Sequence, residues 1–403
     1  MGTLDTKGVE YAYVRDRVRD HGVDVLLVDA GVLGEPLTLA DITREEVARA
    51  AGVDIEELRA RHERAPALEA MGRGAAAIAE RLHAEGRLDG IAGLGGSGGS
   101  AVLAAAMRPL PVGVPKLIVS TVAAGDTRPY VGASDVTLTY SVVDVAGMNS
   151  ILAEILANAA GAIVGMVRAQ APPLGAAKPR VGASMWGITT PCVTRAIQRL
   201  EELGYEALVF HQTGTGGRSM EGLMAAGVIT AAMDVTLAEL AGALLAGLWP
   251  AAPDRLEVAG RLGIPQVVAP GGLDFVALGP TIPEQFQSRR LYTHSPQMVG
   301  LRTSPEECSE LGKTIARKLN GARGSTALFV PLRGVSLIST DGQPFHDPEA
   351  DDALFAALRE HVDRSNVELH ELETDINDPA FALAMADRLH ELHDAWARPD
   401  EVT

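Results

Sequence analysis

Gly93-Leu94-Gly95-Gly96-Ser97-Gly98-Gly99-Ser100 is the stretch whose reading decides the fold. The apolar run Leu88 to Leu94 leads into it and reads as a buried strand. Ala101-Val102-Leu103-Ala104-Ala105-Ala106-Met107 leaves it and reads as a helix. A glycine-rich turn between strand and helix exposes backbone N–H groups at a helix N-terminus, which suits a phosphate or another anion. A similar stretch recurs as Thr213-Gly214-Thr215-Gly216-Gly217-Arg218-Ser219. Two such loops point to two related lobes with a cleft between them.

Working outward, the halves read in parallel. Thr6 to Asp20 is helical and Val23 to Asp29 is a strand; Pro191 to Leu203 is helical and Tyr205 to Phe210 is a strand. The strand Gly113 to Ser120 has a counterpart in Gly263 to Pro270. Each is followed by a glycine and an acid, Gly125-Asp126 and Gly272 with Asp274. Strands alternating with amphipathic helices predict parallel α/β layers. The fold class is therefore α/β, two Rossmann-like lobes with mainly parallel sheets. The lobes are residues 1–170, with a helical insertion at 41–74, and residues 180–403, joined by a Pro/Ala/Gly linker at 171–179. Thr43 with Glu46 and Asp54 with Glu57 are capping signals in the insertion. Further strands are expected at Thr326 to Leu332 and Val367 to Leu372, with helices at Asp351 to Asp363 and Pro379 to Trp396. The stretch Val235 to Leu248 reads as a helix apolar on most of its circumference, which must be buried somewhere.

The 403 residues are 47% hydrophobic, 22% charged and only 4% aromatic, so a globular core built from aliphatic side chains is expected. Asp and Glu number 52 against 35 Lys and Arg, a formal charge of −17. That balance opposes binding to nucleic acid or an anionic membrane surface. Two cysteines far apart make no disulfide framework and suit a reducing, cytoplasmic setting. Continuous apolar runs fall short of a membrane span.

Gly93-x-Gly95-x-x-Gly98 matches the dinucleotide pattern, but the next strand ends in Ser120-Thr121 where an acid should hold the ribose. NAD is therefore disfavoured and a phosphate is kept. Gly312-Lys313-Thr314 mimics the end of a P-loop, yet it sits inside a helical pattern. Asp5-Thr6-Lys7-Gly8 stands where a strand meets a helix: Thr6 suits a cap, Lys7 a phosphate, and Asp5 a magnesium ion. Asp126, after a strand, suits metal, ribose or general-base work; with Asp5 it is the candidate metal ligand. Candidate catalytic groups are Asp126, His211 at a strand end, and Cys192 at a helix start, where a thiol can be activated. Arg218 suits a bidentate contact with phosphate or carboxylate. The ligand set then comprises Asp5, Thr6, Lys7, Gly95, Gly96, Ser97, Gly98, Gly99, Ser100, Ser120, Gly125, Asp126, Thr127, Thr213, Gly214, Thr215, Gly216, Gly217 and Arg218.

Gly2-Thr3-Leu4-Asp5-Thr6-Lys7-Gly8, the Gly-Gly-Ser-Gly-Gly-Ser loop, Ser120-Thr121 with Gly125-Asp126-Thr127, and Thr213 to Arg218 together resemble the ATP-binding N-terminal domain of the tomato mosaic virus resistance protein. That domain has many bacterial relatives in an uncharacterised family. Pro331-Leu332-Arg333-Gly334-Val335-Ser336 and Pro344 to Asp351 extend the likeness over nearly the whole chain. The resemblance implies two α/β subdomains, ATP with Mg²⁺, and a homodimer. It leaves the reaction open. An ATP-binding protein of unknown reaction, its phosphates held with Mg²⁺ by glycine-rich loops at strand ends, a small-molecule metabolic enzyme acting on a phosphorylated or carboxylate substrate in the same inter-lobe cleft, and a non-catalytic ATP-stabilised sensor or scaffold are the readings the sequence carries.

Overall fold

The computed structural model describes residues 1–170 and 177–398. Residues 171–176, most of the expected linker, and 399–403 lie outside the described residues. The chain divides into two compact units, Met1–Leu174 and Gly175–Thr403.

Unit 1 opens on α1 (Leu4–Asp20), which starts earlier than the sequence suggests. Its N-cap is Thr3, whose side chain makes no cap bond. Thr6 therefore sits in the first turn, its hydroxyl 3.0 Å from that of Thr3, and does not cap the helix. Val23 to Asp29, expected as a strand, forms no regular ladder; Gly2 bridges Asp29 and Val28 bridges Ile42 as isolated pairs. The insertion holds α2 (Arg44–Ala50), entered through a Thr43–Glu46 capping box, and α3 (Ile55–Arg61), where Asp54 caps the amide of Glu56. Its last helix, α4 (Arg64–Ala84), continues well past 74 because Met71, Ala75, Ile78 and Leu82 keep a buried face.

The strand–turn–helix reading of the glycine stretch is realised as β1 (Ile91–Gly95) and α5 (Ser97–Met107). Then come β2 (Lys116–Ser120), the short α6 (Arg128–Val131), β3 (Thr137–Tyr140) and α7 (Ser150–Arg168). The three strands are parallel in the order β1-β2-β3. Helix α4 packs on α5 on one side of the sheet, and α1 on α7. By length and composition α7 is apolar enough to resemble a membrane span. Its Leu152, Leu156, Ile163 and Val164 join Leu4 and Tyr11 of α1 and Leu117 and Val119 of β2 in one core cluster.

Unit 2 is built on a parallel six-stranded sheet, ordered β12-β11-β7-β6-β4-β5. In chain order its elements begin with β4 (Arg180–Met185), α8 (Thr190–Glu202), β5 (Glu206–His211), α9 (Gly216–Ala225), β6 (Ala231–Thr236), α10 (Ala238–Leu244) and α11 (Val258–Leu262). They continue with β7 (Gln266–Gly271), β8 (Phe275–Leu278), β9 (Leu291–Ser295), β10 (Met298–Arg302), α12 (Pro305–Asn320), β11 (Thr326–Pro331), α13 (Pro348–His361), β12 (Val367–Leu372) and α14 (Pro379–Ala397). Every residue of β6, β7 and β11 is buried, as expected of parallel strands covered on both faces.

Two features depart from the sequence reading. Val235 and Thr236 end β6, so the expected helix from Val235 to Leu248 shrinks to α10; a fully buried strand and a buried helix share the same apolar run. A separate antiparallel sheet, β8-β10-β9, follows β7.

Candidate functional site

In unit 1, β1 ends at Gly95 and hands over to α5 through Gly96, the helix N-cap. A helix leaves its first amides without intrahelical partners, and Gly96 offers no side-chain oxygen to accept from them. The amides of the first turn, from Ser97 to Gly99, thus form the open N-terminal end of an eleven-residue helix. Ser100 is otherwise engaged. Its amide donates to the Gly96 carbonyl at 2.9 Å, and its hydroxyl lies 2.6 Å from that of Ser120, both side chains fully buried. Ser100 and Ser120 fasten α5 to β2.

A cavity of about 570 Å³ lies against this turn. Asp5, Thr6 and Lys7 of α1 line it, with Val32 and Leu33 of the following loop and Arg64, Ala67 and Leu68 of α4. The lining thus combines the cations Lys7 and Arg64 with apolar side chains and the acids Asp5, Glu63 and Asp144. Lys7 sits at a kink in α1, at φ −128° and ψ 17°. Gly98 does not need a left-handed backbone; it leaves space in which anything larger than a methyl would crowd Arg64 and Leu68. A Cβ at Gly98 would stand 3.1 Å from Arg64 Nη2 and 3.3 Å from Leu68 Cδ1.

Asp5 organises the rim. Its Oδ2 accepts from the amides of Val32 (3.2 Å), Leu33 (3.0 Å) and Gly34 (3.3 Å). Its Oδ1 is buried without a hydrogen-bond partner. Arg59 Nε donates to the Val32 carbonyl at 2.7 Å and the Arg44 guanidinium to that of Gly34, so an irregular loop is held from both sides. Behind it, Asp29 accepts from Leu4 and Gly31, and burial pushes its carboxyl up from the usual range.

Other sequence candidates lie elsewhere. Asp126 is exposed and paired within its own loop, to Arg128 Nε at 2.9 Å and Nη2 at 2.8 Å. The Arg128 side chain holds the Asp126 carboxyl below its ordinary value. Gly125 is exposed, and Thr127 is the N-cap of α6 without a cap bond. None of the three lines the cavity.

The second glycine turn, in unit 2, is satisfied from within. Glu239 Oε1 accepts from the amides of Gly214 (2.8 Å) and Gly217 (3.4 Å), and its Oε2 accepts from Arg255 Nε at 3.1 Å. Arg255 also donates to Asp234 Oδ1 at 2.7 Å and lies 3.5 Å from Glu221, all of them buried. One arginine faces three acids, and burial carries the Glu221 carboxyl up to about 7. Close packing accounts for the glycines: a Cβ at Gly216 would meet the His211 carbonyl at 1.8 Å, and one at Gly217 would meet Arg255 Nε at 2.3 Å. Gly214 has φ +81°. Thr213 and Thr215 are half-buried in the same turn, while Arg218 and His211 are exposed. Cys192 is not an activated thiol. It is fully buried and burial pushes it up to about 12, while its amide donates to Asn377. Asp274, the counterpart of Asp126, is buried and accepts from Ser336 Oγ at 2.7 Å.

Sequence reasoning missed Arg64, Ala67 and Leu68. Their signal was an apolar helical pattern inside the insertion, which fixes a buried face but not what that face borders.

Comparison with known proteins agrees with the two-unit division. Residues 1–172 match the N-terminal domain, and residues 178–393 the C-terminal domain, of the Uncharacterised protein family (UPF0261). A UPF0261 protein of Clostridium tetani is 48% identical over 391 residues, covering 96% of this chain and 97% of that protein. One of Rhizobium meliloti is 41% identical, covering 95% and 96%. The ToMV resistance protein Tm-1(GCR237) of Solanum lycopersicum is 41% identical over 318 residues, which span 76% of this chain and 42% of the tomato protein. With family models covering both units and relatives aligned along nearly its whole length, the chain belongs to the UPF0261 family.

Proposed function

We propose that the cavity of unit 1 binds a nucleoside triphosphate, ATP with Mg²⁺. One observation carries the reading: the open N-terminus of α5 faces a cavity of about 570 Å³ that also holds Lys7, Arg64 and an apolar wall. Volumes of roughly 300–1,000 Å³ suit small ligands, and a helix N-terminus with nearby cations suits phosphate. In this reading the Ser97–Gly99 amides hold the phosphates, Lys7 and Arg64 offset their charge, and Val32, Leu33, Ala67 and Leu68 pack against the base. The resemblance of the sequence motifs supports ATP as the ligand.

Asp5 fits a magnesium ion bound mainly through phosphate oxygens. One of its carboxylate oxygens is buried without a partner while the other is fixed by three amides. Among the described residues no group of three His, Cys, Asp or Glu side chains would cage a metal. Mg²⁺ commonly takes one or two carboxylates and keeps several waters. When bound, it would neutralise phosphate charge. Asp126 does not fit, because its carboxylate is committed to Arg128 outside the cavity.

Titration calorimetry with ATP, with and without Mg²⁺, and with NAD tests the reading. Saturable binding of ATP and none of NAD is expected; NAD binding tighter than ATP overturns it. A homodimer and a cytoplasmic location belong to the same proposal and rest on the resemblance and the composition. Light scattering reporting 42.2 kDa at micromolar concentration would remove the dimer.

A further inference from the structure

The cavity beside the first glycine turn has the wrong charge for a bare phosphate ligand. Counting His62 as neutral, its lining sets two cations, Lys7 and Arg64, against three acids, Asp5, Glu63 and Asp144. A nucleoside triphosphate brings several more negative charges, and like charges in a partly enclosed space repel. The lining therefore calls for a divalent cation to enter with the phosphates, and for a carboxylate free to meet it. Asp5 has one oxygen committed to three amides. Glu63 is exposed at the N-cap of α4, where its side chain makes no cap bond.

Asp144 is different. It follows the carboxyl end of β3, the side of a parallel sheet where ligands bind. Among the described residues no hydrogen bond or ion pair takes up its carboxylate, yet the backbone that carries it is fixed on both sides. Before it, Val142 has φ +62° at the centre of a tight turn, in which the Val143 amide donates to the Ser141 carbonyl at 2.6 Å. The Ser141 hydroxyl donates to the Val143 carbonyl at 2.7 Å and closes the turn a second time. A β-branched residue rarely adopts this backbone, which persists only where the surroundings hold it. After it, Val145 is fully buried, and the Gly147 amide donates to Glu10 Oε1 of α1 at 2.7 Å. Both sides of the cavity are tied to one residue of β2. The Ser120 carbonyl accepts from the Ser141 amide at 3.2 Å, and its hydroxyl lies 2.6 Å from that of Ser100 in α5. The position of Asp144 is thus coupled rigidly to that of the α5 amides.

On the reading of this cavity as a nucleoside triphosphate site, we infer that Asp144 is the second carboxylate for the divalent cation, beside Asp5, and that it makes the cavity select the metal-bound nucleotide over the free one. Without a cation, the Asp144 carboxylate and the phosphates repel. With one, both are its ligands, and the same carboxylate changes from opposing the nucleotide to favouring it. One or two carboxylates with phosphate oxygens and waters is the set Mg²⁺ commonly takes. Asp144 suits this better than Glu63, because a short side chain on a fixed backbone loses less freedom on binding than a long exposed one.

The test is calorimetry of ATP binding to the full chain, once with Mg²⁺ and once with EDTA, for the wild type, Asp144→Asn, Glu63→Gln and Asp126→Asn. Asp144 is exposed, so the asparagine variant should melt like the wild type. Asp144→Asn is expected to lose roughly 10- to 150-fold in affinity for Mg²⁺-ATP, the worth of one charge-assisted contact, and to bind ATP in EDTA as well as the wild type or better. Glu63→Gln and Asp126→Asn should stay near the wild type in both conditions. With Mn²⁺ in place of Mg²⁺, electron paramagnetic resonance should show weaker retention of the ion in the Asp144→Asn complex alone. An equal loss with and without the cation would make Asp144 a contact to the nucleoside and overturn the inference. So would wild-type behaviour of Asp144→Asn, or the cation-dependent loss appearing at Glu63→Gln instead. A wild-type chain that binds ATP in neither condition overturns the proposed function, and the role of Asp144 with it.

Discussion

Gly98→Val is the sharpest perturbation of the proposed phosphate site. At this position even a single Cβ would sit 3.1 Å from Arg64 Nη2, 3.3 Å from Leu68 Cδ1 and 3.6 Å from Leu68 Cδ2. A Cβ alone can be accommodated, since the end of an arginine side chain moves easily. Valine adds two methyl groups beyond it. These must displace the Arg64 guanidinium, push Leu68, or occupy the space in front of the α5 amides. If Arg64 is displaced, one charge-assisted phosphate contact of about 1.5–3 kcal/mol is lost. That corresponds to roughly 10- to 150-fold in affinity. The fold itself should survive. Valine is a slightly better helix residue than glycine, by a few tenths of a kcal/mol, and overpacking at such a site costs about 1–3 kcal/mol. A domain stable by about 5–15 kcal/mol tolerates that. Calorimetry with Mg²⁺-ATP on the wild type, Gly98→Ala and Gly98→Val, each checked for a cooperative melt, gives the answer. Near-normal affinity for alanine and a loss of at least tenfold for valine are expected. A folded Gly98→Val protein with wild-type affinity would refute the placement of phosphate at this turn.

Three further outcomes follow from the geometry. Arg255→Met strands Asp234, Glu239 and Glu221 without their shared counter-charge and should destabilise the protein by about 3–5 kcal/mol in urea unfolding; a change below about 1 kcal/mol would contradict the buried network. Glu221 is raised from 4.5 to about 7 in the folded state. The native state therefore holds its proton more tightly than the unfolded chain. The resulting stability, at most about 3 kcal/mol, is fully present below pH 4.5 and lost as pH rises through 7. Glu221→Gln should flatten the stability profile between pH 5 and 8, and an unchanged slope would count against the assignment. Cys192 and Cys308 are both buried and both pushed up by burial, so native protein should leave a thiol reagent unreacted until denaturant is added; fast labelling of Cys192 would restore it as a nucleophile.

Strands and helices were legible in the sequence wherever the apolar pattern was long and bounded, as at β2, β11, β12 and α14. Val235 defeated the reading because a six-residue buried strand and a short buried helix run together without a break. The β8–β10 hairpin sheet went unseen because Phe275–Leu278 alone gives a short apolar run with no periodicity of its own. At the candidate site, the glycine turn, Asp5 and Lys7 were readable, since turns and helix starts carry local residue signatures. Arg64 and Leu68 were not, because they reach the turn through the packing of α4 on α5, a contact between segments some thirty residues apart. Asp126 looked chemical from its place after a strand, and only the position of Arg128 reveals a local ion pair.

The carboxylate of Glu239 gives the second glycine turn the character of a plugged socket. The amides of Gly214 and Gly217 present the geometry that receives an external anion in other loops, and here the anion is part of the chain. A sequence motif cannot distinguish the two cases, because the plug arrives from a different helix. Shortening the plug, as in Glu239→Ala, would leave two amides and the edge of Arg255 around a space the size of one carboxylate. Formate or acetate should then restore what the mutation removed, which melting of the Glu239→Ala protein with and without the anion would read.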